Sequence, residues 1–111
     1  MPTLKLNAVA RGPGLWETQI TAPCNLTLTG VVADEKLGIR VCSIAVEDLN
    51  GPIRRLLDNK EGYPLKMLQS PLVKPLLKRI AVKAGQSFCV QGRRAGDSTE
   101  NFSVEIEYSG G

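Results

Sequence analysis

The chain has 111 residues, of which 42% are hydrophobic and 23% are charged, and its formal net charge is +3. These values are ordinary for one globular domain, and they exclude the disordered, collagen-like and disulfide-dense classes. No apolar run approaches the ~20 residues that a membrane helix needs, and the N-terminus lacks the apolar core of a signal peptide. The sequence therefore predicts a single domain over residues 1–111, made in the cytosol without a signal peptide and with no membrane partner.

Histidine is absent, and none of the three cysteines lies in a C-x-x-C pair. Catalytic systems based on histidine and metal sites with histidine ligands are therefore excluded. Cys24, Cys42 and Cys89 are expected to be free and mostly buried thiols. Since no catalytic or cofactor motif is present, the sequence predicts a protein that is not an enzyme and has no cofactor or metal.

Polar and apolar residues alternate along most of the chain, which is the pattern of half-buried β-strands. The predicted strands are residues 4–9, 15–21, 25–32, 37–49, 53–57, 80–82, 87–90 and 102–108. Turn chemistry separates several of them, at Gly12–Gly14, at Pro23 and at Asn50–Gly51. At Cys42–Ser43 the alternation changes parity, which indicates a β-bulge or a strand that is buried on both faces.

The last third of the chain is predicted to form a β-hairpin followed by one more strand, together a meander. The apolar residues of the hairpin alternate with their neighbours; they are Ile80, Val82, Phe88 and Val90. Gly85 lies in the loop between the two runs and can supply the positive φ that a short loop needs. We expect the apolar residues on one buried face, with strand 102–108 beside the hairpin.

Residues 58–75 differ in character, because three prolines interrupt a leucine-rich stretch. The prolines exclude a central strand and a long helix, although one helical turn is expected at Leu65–Gln69, after Pro64. The stretch is interpreted as a Greek-key crossover. Its apolar residues must be covered by the domain's own sheet edge or by a neighbour; they are Leu65, Met67, Leu68, Leu72 and Val73.

About seven or eight short strands separated by turns predict an all-β fold, an antiparallel β-sandwich of jelly-roll-like topology. An immunoglobulin-like sandwich is the alternative, but its Cys, Trp, Cys order is not met because Trp16 precedes all three cysteines. In size and strand pattern the chain resembles the small jelly-roll or sandwich proteins of bacteriophage particles. This resemblance implies a structural protein of a virion, either capsid-associated, a decoration protein or a minor structural protein.

Charge is segregated along the chain. Ten of the fourteen basic residues lie within residues 51–94, against two acidic ones, whereas residues 95–111 carry four acidic residues and no basic one. Three interpretations follow: a solvated rim of weak ion pairs, complementary patches that dock one subunit on the next, or a nucleic-acid surface. Nucleic acid is the least favoured partner, because the net charge is low and aromatic residues for base stacking are nearly absent.

Together these observations predict an assembly subunit that binds itself or a larger protein shell. The apolar contact is assigned to the five crossover residues, and the basic contacts are Arg54, Arg55, Lys78, Arg79, Arg93 and Arg94. Their acidic partners are expected to include Glu105 and Glu107, on the solvent side of the last strand. The alternative is a carbohydrate- or peptide-binding module with Trp16 and Tyr63 as stacking residues, although a single tryptophan in a small sandwich is more often a core residue.

Overall fold

The computed structural model describes residues 3–47, 53–96 and 98–110, with Arg54 and Leu56 described by their backbone only. Its elements are β1 (Thr3–Gly12), β2 (Leu15–Thr21), β3 (Leu26–Val32), a 3-10 turn (Glu35–Leu37), β4 (Arg40–Glu47), β5 (Ile53–Pro64), α1 (Leu65–Leu68), α2 (Lys74–Leu77), β6 (Ala81–Val82), β7 (Ser87–Arg93) and β8 (Phe102–Gly110). The predicted Asn50–Gly51 turn lies outside the described residues. Within the described ranges, no helix is long and apolar enough to cross a membrane.

These eight strands form one curled antiparallel sheet in the order β5-β4-β7-β2-β1-β8-β3-β6. Strand β1 joins the two halves of the sheet, because its first residues pair with β8 and its last residues pair with β2. The antiparallel all-β class predicted from the alternation is confirmed. Strand β5 is longer than predicted and takes in the first part of the stretch that we interpreted as an irregular crossover.

The core lies inside the curl and contains apolar side chains from both halves of the sheet. Trp16 and Phe88 are each 1% exposed, and Ile44 is fully buried. Successive side chains of a strand point to opposite faces, so the alternating sequence pattern places every second residue in this core. Full burial of one such side chain contributes about 1.5–3 kcal/mol.

The predicted hairpin is wrong in its pairing, although its inward-facing residues are correct. All four are buried: Ile80, Val82, Phe88 and Val90. Strand β6 pairs with β3 at one edge of the sheet, while β7 lies between β4 and β2. The turn Lys83–Gln86 therefore crosses from one half of the sheet to the other. A period-two pattern specifies the buried face of a strand but not the neighbour with which it pairs.

This crossing turn is bonded to the β2–β3 turn, which crosses between the same two halves. The Ala22 backbone N–H donates to the Gln86 carbonyl at 2.8 Å, and the Gly85 N–H donates to the Ala22 carbonyl at 2.9 Å. The Ala84 N–H donates to Asn25 Oδ1 at 2.8 Å. Gly85 has a φ of 88°, in the left-handed region that favours glycine. The two turns thus satisfy each other's polar groups where the sheet folds over.

Strand β4 contains the predicted bulge. Its pairing with both β5 and β7 shifts register between Val41 and Ser43. The extra residue, Cys42, is half-buried, whereas Val41, Ser43 and Ile44 are all buried. The bulge therefore explains why the apolar pattern changes parity in the middle of this strand.

The crossover between β5 and β6 packs across the open side of the curl, where α1 contacts β3 and β5 and α2 contacts β3. Leu68 and Leu77 are fully buried, and Val73 is 7% exposed. Our assignment of Leu68 and Val73 to an external contact is therefore wrong, because the two short helices turn these side chains into the domain's own core. Met67 and Leu72 stay exposed. The helical turn expected at Leu65 is confirmed as α1.

The crossover can be tested by comparing two of its leucines. Leu68→Ala is expected to lower the free energy of unfolding by about 2–5 kcal/mol, because it leaves a cavity in a packed core. Leu72→Ala is the matched control and is expected to change it by less than about 0.5 kcal/mol, because that side chain touches mainly solvent. Urea unfolding of the two variants measures both values, and equal losses would contradict the described packing.

Candidate functional site

The exposed charged side chains of the crossover are all basic, and two large apolar side chains of the same segment are exposed as well. Residues 65–79 contain four lysines or arginines and no acidic residue. Met67 is 47% exposed and Leu72 is 87% exposed. We call this the crossover surface; its members are Lys66, Met67, Leu72, Lys74, Lys78 and Arg79, all exposed. Of the predicted contact residues, it brings together Met67, Leu72, Lys78 and Arg79.

Leu72 lies on an ordered turn between α1 and α2. The backbone N–H groups of Val73 and Lys74 donate to the Ser70 carbonyl at 3.2 and 2.9 Å. The side chain of the next residue, Val73, points into the core. Because these bonds fix the backbone while Val73 anchors it, Leu72 is held outward in water, an unfavourable position for so large an apolar side chain.

An acidic surface lies on the outer side of β8. Glu105 and Glu107 are half-buried there, between the core residues Val104 and Ile106, so their predicted position on the solvent side of the strand is confirmed. The Cα partners of Glu105 are Lys5 on β1 and Val32 on β3. Since Arg11–Glu17 is the only ion pair within the described residues, neither glutamate is paired there. We call Val32, Glu105 and Glu107 the acidic face.

The other predicted basic contacts lie elsewhere. Arg94 is half-buried, with Nη1 donating to the Glu100 carbonyl at 3.0 Å and the guanidinium 5.1 Å from the centre of the Phe102 ring. It therefore holds the segment that leads into β8. Arg55 on β5 and Arg93 on β7 are exposed but lie outside the crossover surface. The side chain of Arg54 lies outside the described residues.

Trp16 is part of the core, as the more common role of a single tryptophan indicated, and only 1% of its surface is exposed. Its Nε1–H donates to the Arg93 carbonyl at 2.9 Å, and its ring meets Phe102 edge-on with centroids 5.6 Å apart. A Cβ on Gly92 would lie 2.5 Å from the indole Cζ2, so β7 needs glycine beside it. The predicted stacking role of Trp16 is therefore wrong. Tyr63 is half-buried and packs against the core from the end of β5.

A hydrogen-bonded cluster around Glu17 lies on the outer side of β2 and β7, and the sequence did not point to it. Glu17 Oε1 accepts from Gln91 Nε2 at 3.0 Å, from the Cys89 thiol at 3.1 Å and from Arg11 Nη1 at 3.1 Å. Glu17 and Gln91 are Cα partners across β2 and β7. Because they are far apart in the chain, only knowledge of this strand pairing could have brought them together.

The cluster shifts the titration of both acidic groups. The hydrogen bond from Gln91, and next that from Cys89, hold the pKa of Glu17 below its usual value, although partial burial opposes them. Burial raises the pKa of Cys89 to about 12, with further contributions from the hydrogen bond to Glu17 and from its charge. At neutral pH the cluster therefore contains an ionised carboxylate and a protonated thiol, which is a poor nucleophile.

All three cysteines are free, but only two are partly covered. Cys42 and Cys89 are half-buried, whereas Cys24 is exposed because it lies in the turn after Pro23. Burial of Cys24 was therefore a wrong expectation. In the part of the chain that the structure describes, no group of three or more metal-binding side chains comes together.

The described surfaces suit binding through shape and charge. The crossover surface offers apolar contact within a basic rim, and the acidic face offers the reverse charge. Protein-family models, curated proteins and solved structures gave no match to this chain. These surfaces are therefore the features that bear on its function.

The Glu17 cluster predicts a definite dependence of stability on pH. Above the ordinary carboxyl pKa of 4.5, wild type should be more stable than Glu17→Gln by about 1 kcal/mol, because the ionised form is the better acceptor. As pH falls below that value the unfolded chain takes up the proton first, so the advantage shrinks and is lost once the lowered folded pKa is passed. Urea unfolding across pH measures this difference, and a constant difference at every pH would contradict the cluster.

The thiols are expected to react in a fixed order. At mildly alkaline pH an alkylating reagent should modify exposed Cys24 first, while Cys89 stays unmodified in the folded protein because its raised pKa keeps it protonated. Peptide mass mapping identifies the labelled sites, and Cys24→Ser should remove the fast phase. Rapid labelling of Cys89 in the folded protein would show that its thiol is not held as described.

Proposed function

We propose that the protein is a non-enzymatic assembly subunit whose crossover surface docks on the acidic face of a second copy. The observation that carries this proposal is Leu72, an apolar side chain 87% exposed on a hydrogen-bonded turn. An exposed apolar group within a polar rim is typical of a protein interaction site. The domain's own core is already complete without Leu72, so its burial would come from a partner.

The chemistry of the two patches supports a second copy as that partner. The crossover surface sets Met67 and Leu72 among cations, and the acidic face sets Val32, 37% exposed, beside Glu105 and Glu107. Apolar contact would supply affinity, while the opposite charges would orient the copies and speed their encounter. Because the patches are different surfaces, each subunit could bind two neighbours, which generates rings or open chains.

We also propose the setting that the sequence suggested, a larger shell such as a bacteriophage particle. The chain would serve there as a capsid-associated, decoration or minor structural protein. The curled antiparallel sheet around one core is compatible with a jelly-roll-like sandwich, which we propose as its topology class. The alternative of a carbohydrate- or peptide-binding module is less well supported, because Trp16, its main proposed contact with the ligand, is buried.

The proposal is tested by the mass of the protein in solution, from sedimentation and light scattering at low and high salt. Wild type is expected to form an oligomer at low salt that weakens at high salt. The double variant Met67→Ser, Leu72→Ser should weaken association by about tenfold or more, because each lost apolar contact costs on the order of 1.5 kcal/mol. Ile53→Ser is the matched control, since Ile53 is 64% exposed but lies outside both patches.

Charge exchange identifies the partner surface. Reversal at Lys78 and Arg79 to glutamate should abolish the low-salt oligomer, and reversal of Glu105 and Glu107 to lysine in the same chain should restore it. A wild-type monomer at both salt concentrations would contradict self-assembly. An oligomer that survives the Met67 and Leu72 double variant would place the contact on another surface.

A further inference from the structure

A second cationic surface lies outside the crossover surface, on the half of the sheet that contains β5, β4, β7 and β2. It is a groove of about 480 Å³ where the ends of β1, β2 and β7 meet the bulge of β4 and the turn in β5. Four cationic side chains line it: Arg11, Arg55, Lys60 and Arg93. Asp58 is the acidic residue among its lining residues. The cations come from three strands, so they were not recognisable as a group in the sequence.

Hydrogen bonds order the surroundings of three of these cations. Arg11 lies at the register shift of β1, and its guanidinium binds Glu17 at 3.1 Å. The Arg93 carbonyl accepts the indole N–H of Trp16 at 2.9 Å. Lys60 lies in a turn of β5 in which Asn59 Oδ1 accepts from the two backbone N–H groups that follow Lys60, at 3.1 and 3.3 Å. These bonds therefore order the side chain of Arg11 and the backbone at Arg93 and Lys60.

The strand order spaces the cations across the groove. Arg11 is on β1, Arg93 is on β7 and Lys60 is on β5, so each strand is two positions from the next in the sheet. With strands ~4.8 Å apart, the backbones that carry these cations lie ~10 Å apart. A linear polyanion that crosses the strands would meet a cation at each such step.

Most of this charge has no counter-ion within the described residues. Arg11 binds Glu17, the only ion pair there, which leaves Arg55, Lys60 and Arg93 exposed and unpaired. Like charges gathered in a groove repel each other and raise the local concentration of anions. An external anion would relieve this repulsion.

We propose that this groove binds the sugar-phosphate backbone of nucleic acid without reading its sequence. Arginine guanidinium groups match phosphate oxygens in a bidentate geometry. The aromatic side chain in the lining is Trp16, which is buried, so bases have no ring on which to stack. An acidic peptide is a weaker fit, because peptide docking relies on apolar anchors and the exposed apolar lining residue is Leu15, at 42%.

The proposal is tested by fluorescence anisotropy of labelled DNA of two unrelated sequences, titrated with the full chain over a range of salt concentrations. The double variant Arg55→Ala, Arg93→Ala is expected to lose about tenfold or more in affinity for DNA. The slope of log affinity against log salt concentration should become shallower by an amount that corresponds to about two lost phosphate contacts. Lys36→Ala, Lys83→Ala removes the same charge from exposed positions outside the groove, the crossover surface and the acidic face, and is the matched control. It should stay within about twofold of wild type.

Several outcomes would overturn the proposal. They are no binding of DNA at low salt, equal losses in the two double variants, a strong preference between the two DNA sequences, or displacement of DNA by polyglutamate at equal charge. The same variants separate this proposal from self-assembly. Arg55→Ala, Arg93→Ala should leave the oligomeric mass unchanged, because both residues lie outside the crossover surface and the acidic face.

Discussion

The gap between the two edges of the curled sheet, β5 and β6, is the constraint on which the rest of the structure depends. An open curl would expose both its core and its unpaired edges to water and to other chains. The crossover packs across this gap with Leu68, Val73 and Leu77 turned inward. This short segment has one face against the core, so apolar side chains on its opposite face are not buried. Leu72 is left outside as a consequence, and with it the apolar centre of the crossover surface.

Basic and acidic residues are segregated along the sequence, and the fold further separates the basic residues into different surfaces. Of the basic residues within 51–94, four lie on the crossover surface and three line the groove; they are Lys66, Lys74, Lys78 and Arg79, and Arg55, Lys60 and Arg93. Arg93 and Arg94 show how fine this division is: Arg93 lines the groove, while Arg94 lies over the Phe102 ring. Neighbouring residues at a strand end point to opposite sides, so adjacent cations have different surroundings. A basic block in a β protein is therefore not one surface.

Much of the fold was predictable, because strands leave a period-two pattern. The burial of Ile80 and Phe88 and the bulge at Cys42–Ser43 all followed from that pattern. Strand pairing did not, since alternation carries no information about neighbours. The crossover has no period, so composition could not separate buried Leu68 from exposed Leu72. The groove could not be predicted for the same reason. Arg11 and Arg93 are far apart in the sequence, and only the strand order of the sheet places both of them in one groove.

Hydrogen–deuterium exchange at low salt, comparing dilute with concentrated protein, tests the central claim most directly. That claim is that the crossover completes the core with one side and binds a second copy with the other. The account predicts extra protection on concentration in two places, residues 65–79 and strand β8, with little change elsewhere. Unchanged exchange in both places, or new protection along the β5 edge instead, would contradict it.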